Sequence, residues 1–280
     1  MAFNFYSSLD YSQLILFYCL AGLALMYSTY FFLRLACPKL IVEEVDSDFI
    51  AGLHAAIFTI TFLTLGYCLV NASETVDNYQ QSVVTEANDI KTLDILLTLY
   101  NKKESSILRK DLRNYADSIV IDEWPLLAKR TGSERTLNMQ RQFRSDLKNL
   151  NPTAAKDLVI YADILETTAK VIQARSSRIS NSDNRLAPQF MLASNVGYIC
   201  VLLISALMLT QFTWFRFISL NIQIFAVSFI FASTIDLDNP FRGKDRVSPE
   251  PIEAVALTIN TQPLILIHEE QAAKSPPTQN

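Results

Sequence analysis

Four apolar stretches, set in two pairs around a polar insert, constrain this chain more than any other feature of it. They run over residues 14–36, 50–70, 190–209 and 217–235. A helix needs about 20 predominantly apolar residues to cross the hydrocarbon core of a bilayer. Runs of that length in lipid satisfy their backbone hydrogen bonds as helices. The expectation is an all-α membrane protein with four transmembrane helices, in two hairpin pairs flanking a helical cytoplasmic insert. The bounds that follow are an N-terminal transmembrane pair over 1–72, a helical soluble insert over 73–187 and a C-terminal transmembrane pair over 188–236. A Pro-containing segment with a flexible tail then occupies 237–280.

Charge is segregated to match. Asp, Glu, Lys and Arg make up 19% of the 280 residues and crowd into 72–188 and 237–280. A net charge of −4 argues against nucleic acid as a partner, since phosphate binding needs a concentrated basic face. Lys102, Lys103, Arg109, Lys110 and Arg113 do form a basic run. Glu104 and Asp111 dilute it, so it reads as a solvated helix face. Residues 1–11 hold no Lys or Arg and the stretch from 14 is long, which reads as a retained anchor rather than a cleaved signal. Cys19, Cys68 and Cys200 fall inside spans and Cys37 at a span end, where they serve as small apolar packing residues. No disulfide framework is implied.

Four spans place both termini and the insert on one side. Arg175, Arg178, Arg185, Arg242, Lys244 and Arg246 lie near the membrane there, whereas the short connections hold Arg34, Lys39 and Arg216 offset by Glu43, Glu44, Asp46 and Asp48. The positive-inside rule puts the insert and termini in the cytoplasm, and the expected location is the cell (inner) membrane.

The insert reads as helical throughout. Leu108, Leu112, Tyr115 and Ile119 share one helix face, and Met139, Phe143, Leu147 and Leu150 another. Asn151-Pro152 signals a helix start, followed by a stripe of Leu158, Ala162, Leu165, Ala169 and Ile172. Such stripes need a partner surface, so the insert is a bundle, or long helices paired between subunits. No turn signal separates Val70 from Asp77, which lets the second span continue into the insert as one helix. The Pro and Gly residues of 236–251 rule out a continuing helix there.

Catalytic chemistry finds no footing. The two histidines, His54 and His268, sit in no metal-ligand spacing, and no GxSxG, P-loop or dinucleotide fingerprint is present. Neither enzyme activity nor a cofactor is expected, and no catalytic or metal residue is assigned. Asp236 and Asp238 follow the last span, but two carboxylates make a poor calcium site. Asn71-Ala72-Ser73 matches a glycosylation sequon at the membrane edge on the expected cytoplasmic side, where it is discounted.

The second span carries the strongest signal. Thr61, Thr64, Cys68, Asn71 and Thr75 form a weakly polar stripe, and His54 extends it two turns. Phe58, Phe62 and Leu65 form an apolar face beside it. These residues can line a permeation path, with polar groups meeting water and bulky ones forming a constriction. They can equally be packing, because small polar residues let membrane helices approach closely; by residue type alone packing is the plainer reading. The pore-lining candidates are His54, Phe58, Thr61, Phe62, Thr64, Leu65 and Cys68. In the fourth span Asn221 and Gln223 are expensive against lipid and should face protein or a water-filled cavity.

Further segments, taken together, carry a resemblance. They are Glu86-Ala87-Asn88-Asp89-Ile90, Tyr115, Glu123-Trp124-Pro125, Leu237-Asp238-Asn239-Pro240-Phe241-Arg242-Gly243 and Val247-Ser248-Pro249-Glu250-Pro251. With the two-plus-two spans they resemble the bestrophin-like family, a domain-of-unknown-function family related to bestrophin anion channels. The resemblance implies a homo-oligomer, a pentamer, whose second spans line an ion path, with Phe58, Phe62 and Leu65 at its neck. It marks Glu86, Asn88, Glu123, Trp124, Pro125, Asp238, Pro240, Phe241 and Gly243 as family-motif residues. Bestrophins follow a similar turn with an acidic run that clasps calcium. Here Arg242-Gly243-Lys244-Asp245-Arg246 stands in its place, so no calcium clasp of that kind is expected. Two functions remain open: an oligomeric ion channel, anion-conducting by resemblance, and a non-conducting scaffold or sensor whose insert binds a protein partner.

Overall fold

The computed structural model describes residues 11–36, 44–100, 103–182, 186–210, 212–238, 240–241 and 247–259, the side chains of 44–46 and 103 excepted. Gly243, Cys37, His268 and the tail expected to be flexible lie outside the described residues. The described chain is helical, without strands. In order it forms α1 (Tyr11–Ala36), α2 (Glu44–Tyr100), α3 (Lys103–Ser118), a π-helical turn (Ile119–Glu123) and α4 (Trp124–Leu127). Then come α5 (Glu134–Leu147), α6 (Ala155–Asn181), α7 (Pro188–Met208), α8 (Trp214–Leu237) and α9 (Glu250–Thr258).

The chain divides into two compact units: Met1–Val76 with Arg185–Lys244, and Asp77–Asn184 with Asp245–Asn280. Helix α2 contributes to both, since nothing in its 57 residues offers a Pro or a cap to stop it.

In the first unit α1, the first part of α2, α7 and α8 are long and apolar enough to span a membrane. Their shared core is Met26, Leu65, Tyr198, Leu202, Leu220, Ile224, Val227 and Phe231. Close approach depends on small residues. Gly22 of α1 faces the Tyr198 hydroxyl and Ser228 Oγ, with no room for a side chain. That hydroxyl is paired with Ser228 Oγ at 2.8 Å, and the Tyr198 ring stacks on Phe231 at 4.7 Å. Outward lie Leu16, Leu20 and Phe31 of α1, Leu63 and Val70 of α2, Leu192 and Val196 of α7, and Ile222 and Phe225 of α8, all exposed. An apolar surface of this extent belongs in lipid: the protein is an integral membrane protein.

The second unit buries Ile90, Leu93 and Leu97 of α2 with Leu108, Leu112, Tyr115 and Ile119, and adds Phe143, Leu147 and Ile164. Pro125 falls in the first turn of α4, where it interrupts no helical hydrogen bond. Immediately before it the helix widens into the π turn, a form common at functional positions. Ser133 caps α5 by accepting from Thr136 N at 3.3 Å.

Two expectations need correcting here, after one refinement. Within a single chain Leu158, Ala162, Leu165 and Ala169 of α6 face outward, which excludes them from the bundle core but not from pairing between subunits, and the buried face is Ile164, Thr167, Thr168, Val171, Arg175 and Arg178. Both stripes have helical period; the inward one wins because its arginines find buried carboxylates. The basic run is not wholly solvated: Arg109 Nε donates to Asp94 Oδ1 at 2.6 Å, and its Nη2 reaches the Ile259 carbonyl at 3.1 Å. The Pro-containing segment includes a further helix, α9, with Pro251 in its first turn and Ile252, Val255 and Ala256 buried. Pro at that position starts a helix instead of breaking one.

Candidate functional site

Two places bring the sequence-selected residues together, one in each unit. In the first, the membrane half of α2 presents a ladder of three rings at successive turns. His54 and Phe58 stack with centroids 6.1 Å apart, and Phe58 and Phe62 at 5.8 Å. An i, i+4 spacing stacks side chains along one flank of a helix, and here it places a titratable ring at the head of two apolar ones.

The polar stripe beside this ladder is largely occupied within the chain. His54 Nε2 pairs with Ser205 Oγ of α7 at 3.0 Å, and Cys68 Sγ contacts Ser194 Oγ at 3.7 Å. Thr61 fills the space left by Gly197, where a Cβ would come within 2.6 Å of Thr61 Oγ1. Leu65 is fully buried in the core. Thr64 is half-buried and returns its hydroxyl to the Ile60 carbonyl at 2.8 Å. So His54, Thr61, Leu65 and Cys68 pack against the chain itself. Phe58 is half-buried and Phe62 is exposed. Ala55, Thr59 and Phe62 then continue as an exposed line at i, i+4 and i+7, with Gly66 one turn on.

In the second unit the family-motif acids meet two arginines. Arg178 of α6 grips Glu86 of α2 with two bonds, Nε to Oε2 at 2.8 Å and Nη2 to Oε1 at 3.1 Å. The same Nη2 lies 3.0 Å from Glu123 Oε1. Arg175, one turn earlier, donates Nε to Glu123 Oε2 at 3.0 Å, and its Nη2 to the same oxygen and to the Ser133 carbonyl at 3.3 Å. Ser133 N donates back to Glu123 Oε2 at 3.2 Å. The Arg178 guanidinium also stacks over Trp124 at 5.5 Å. All four charged residues are buried, Glu123 completely.

This is a neutral two-plus-two network, held by bidentate geometry that only arginine provides. Burial acts to lower the Arg178 pKa, but Glu86 and Glu123 outweigh it and raise the group above its ordinary value. Burial, aided by Glu86, pushes the Tyr115 hydroxyl well above its usual range. Tyr115 Oη and Arg178 Nη1 are buried donors without an acceptor among the described residues. Gly132 belongs to the same construction: a Cβ there would meet Ile179 Cδ1 at 2.8 Å, with Arg175 Nη2 and Glu123 Oε2 at 3.5 Å.

The other motif residues lie apart from the network. Asn88 is exposed on α2, and its carbonyl accepts from Thr92. Asp238 in the first unit accepts from Leu186 N at 2.8 Å, which ties the entry to α7 to the exit from α8. Pro240 and Phe241 are buried. Among the described residues no group of three His, Cys, Asp or Glu side chains can hold a metal ion.

Sequence reasoning missed Arg175 and Arg178 as site residues. Their signal was available: two arginines three apart, in register with Ile164, Thr168 and Val171 on one helix face. A charge on an otherwise inward face requires a buried partner.

A family model described as Bestrophin-like domain matches residues 23–252. Neither a curated protein nor a solved structure matches the chain.

Proposed function

The chain belongs to the bestrophin-like family, and from that premise we propose that several copies, five by resemblance, assemble into a ring whose α2 helices enclose an ion path. The observation that carries this reading is the exposed line Ala55, Thr59 and Phe62, with half-buried Gly66 one turn on, beside the ring ladder. Small and hydroxyl side chains alternating with one phenyl ring suit a narrow aqueous path with a hydrophobic constriction. They are a poor choice for a lipid-facing surface when Leu63, Val70 and Tyr67 already supply one.

On this reading Phe62 is the neck residue and Phe58 supports it from behind. His54, Thr61, Leu65 and Cys68 hold α2 in place through α7. The outward stripe of α6, with Leu158 53% and Leu165 44% exposed, becomes a surface covered by the neighbouring copy. Anions are the proposed permeant species, through the family relationship. The insert and termini face the cytoplasm, and the membrane is the cell (inner) membrane. The sequence after Phe241 carries no acidic run, so a calcium clasp is no part of the proposal, and neither is catalysis.

The outward α6 stripe also supports a second reading, a non-conducting scaffold that binds a protein partner there. The mass of the detergent-solubilised protein separates the two. A closed ring of several copies supports the channel, and a monomer or dimer supports the scaffold.

A further inference from the structure

Asn88, a motif residue outside the buried network, stands on the insert half of α2 in a line of plain period. Gln81, Thr85, Asn88, Thr92, Ile95 and Leu99 follow one another at alternating steps of four and three residues, and all six are exposed. That spacing is one helix face, with the period of a two-helix seam. None of the six is charged, although the outward face of a helix ordinarily carries its charges. Thr85 and Thr92 return their hydroxyls to the carbonyls of Gln81 and Asn88 at 3.0 and 2.9 Å, so neither hydroxyl requires an outside partner. Ile95 and Leu99 are 41% and 61% exposed.

The outward stripe of α6 has the same construction. Leu158, Ala162, Leu165, Ala169 and Ser176 are exposed at the same alternating steps, with half-buried Ile172 in the one place between. Again none is charged, and Ser176 Oγ is spent on the Ile172 carbonyl at 3.1 Å. The nearby charges stand at the flank, where Glu166 and Lys170 pair with each other at 2.8 Å.

The two lines also match in height. Within the chain the helices run antiparallel: Glu86 of α2 meets Arg178 of α6, and Tyr79, earlier on α2, donates to the carbonyl of Asn181, later on α6, at 2.8 Å. Each helix rises about 1.5 Å per residue, so equal steps from the Glu86–Arg178 contact reach equal heights. Ile95 comes level with Ala169, Leu99 with Leu165, and Asn88 with Ser176. Both lines are therefore apolar at one height and polar at the other. Rotation about a ring axis that runs along the helices leaves height unchanged, so the levels that match within one chain also match between neighbours.

We propose that the exposed line of α2 in one copy packs against the exposed line of α6 in the next copy. The inference rests on the ring proposed above and names the two surfaces that close it. Ile95 and Leu99 bury against Ala169 and Leu165 of the neighbour, the alanines leaving room for the larger side chains. Asn88 faces Ser176, with exposed Gln173 one turn away. A carboxamide in such a seam fixes the register that two helices adopt, which gives this motif residue its role. Because the two lines are different surfaces of one chain, the contact is head-to-tail, the type that generates rings.

The test is disulfide cross-linking of the full chain in detergent, oxidised with copper phenanthroline and read on a non-reducing denaturing gel, beside the oligomer mass from light scattering. A disulfide needs Cα atoms within about 7 Å, so linkage reports register to about one turn. Two level pairs are made, Leu99→Cys with Leu165→Cys and Ile95→Cys with Ala169→Cys, together with each single variant. Leu99→Cys with Ser176→Cys is the control, about 16 Å apart in height, and the parent is oxidised alongside with its own cysteines. Both level pairs should give a reducible ladder of linked chains up to the full oligomer, while the single variants, the control and the parent run as monomers. Dimers from Leu165→Cys alone would mean that α6 pairs with its own copy, and would overturn the proposal. Level pairs that stay unlinked while the mass shows an intact oligomer overturn it too and leave the ring standing. A monomeric mass for the parent overturns the ring and the seam together.

Discussion

Replacing Arg178 by Met tests the buried network most sharply. The change keeps an unbranched apolar stem and removes the guanidinium. Two hydrogen bonds to Glu86, at 2.8 and 3.1 Å, and the 3.0 Å contact to Glu123 are lost together. Glu86 is then a carboxylate with 1% exposure and no other described side chain bonded to it, while Glu123 retains Arg175. Removing one partner of a buried pair costs about 3–5 kcal/mol, because the remaining charge is uncompensated. Loss of the cation over Trp124 adds about 1 kcal/mol. The measurement is urea unfolding of the detergent-solubilised chain, followed by Trp124 fluorescence in a Trp214→Phe background. Arg178→Met should destabilise by about 3–5 kcal/mol. Adding Glu86→Gln should recover part of that loss, with a coupling of about 1–3 kcal/mol in the double-mutant cycle. A cost below about 1 kcal/mol, the range of an exposed pair, with no coupling to Glu86, refutes the reasoning.

Three further outcomes follow from particular contacts. Burial, and then Asp146 opposite, raise the Asp111 carboxyl above its ordinary pKa. The protonated form is therefore favoured in the folded chain, and its contribution is lost as pH rises through that raised value. Asp111→Asn should raise the urea midpoint at neutral pH and leave it unchanged near pH 3; equal shifts at both pH values contradict this. Gly22→Ala drives a methyl group into the Tyr198 hydroxyl and should cost about 1–3 kcal/mol, relieved in part by Tyr198→Phe in the same thermal unfolding assay. Mutating Leu158 and Leu165 together to Asn should reduce the oligomer mass measured by light scattering and spare the helix content seen by circular dichroism.

How much of this was legible in the sequence differs between elements for physical reasons. The four spans were plain because lipid imposes length and apolarity at once, and few alternatives satisfy both. The unbroken α2 was legible from what is missing between Val70 and Asp77, namely any stop signal. The face Leu108, Leu112, Tyr115 and Ile119 was equally clear, since all four are buried. Helix α6 was only half legible because it has two stripes of the same period, and hydrophobicity alone selects Leu158 and Leu165 over Arg175 and Arg178 as the face buried within the chain. The pairing that decides between them joins residues 92 and 52 positions apart in sequence, beyond the reach of local pattern. Helix α9 was hidden by its prolines, which break a helix in its interior and initiate one in its first turn. Within the candidate site, the polar face of α2 was visible as a stripe. Its partners Ser194, Gly197 and Ser205 on α7 could not be assigned without knowing which helix packs against it.

Recording from purified protein in planar bilayers, parent beside Phe62→Ala, tests the proposed ion path most directly. The ring with α2 at its axis predicts discrete single-channel currents in the parent, and altered conductance or rectification when the neck ring is removed. Silent bilayers for both proteins, with the oligomer intact by mass, would contradict it.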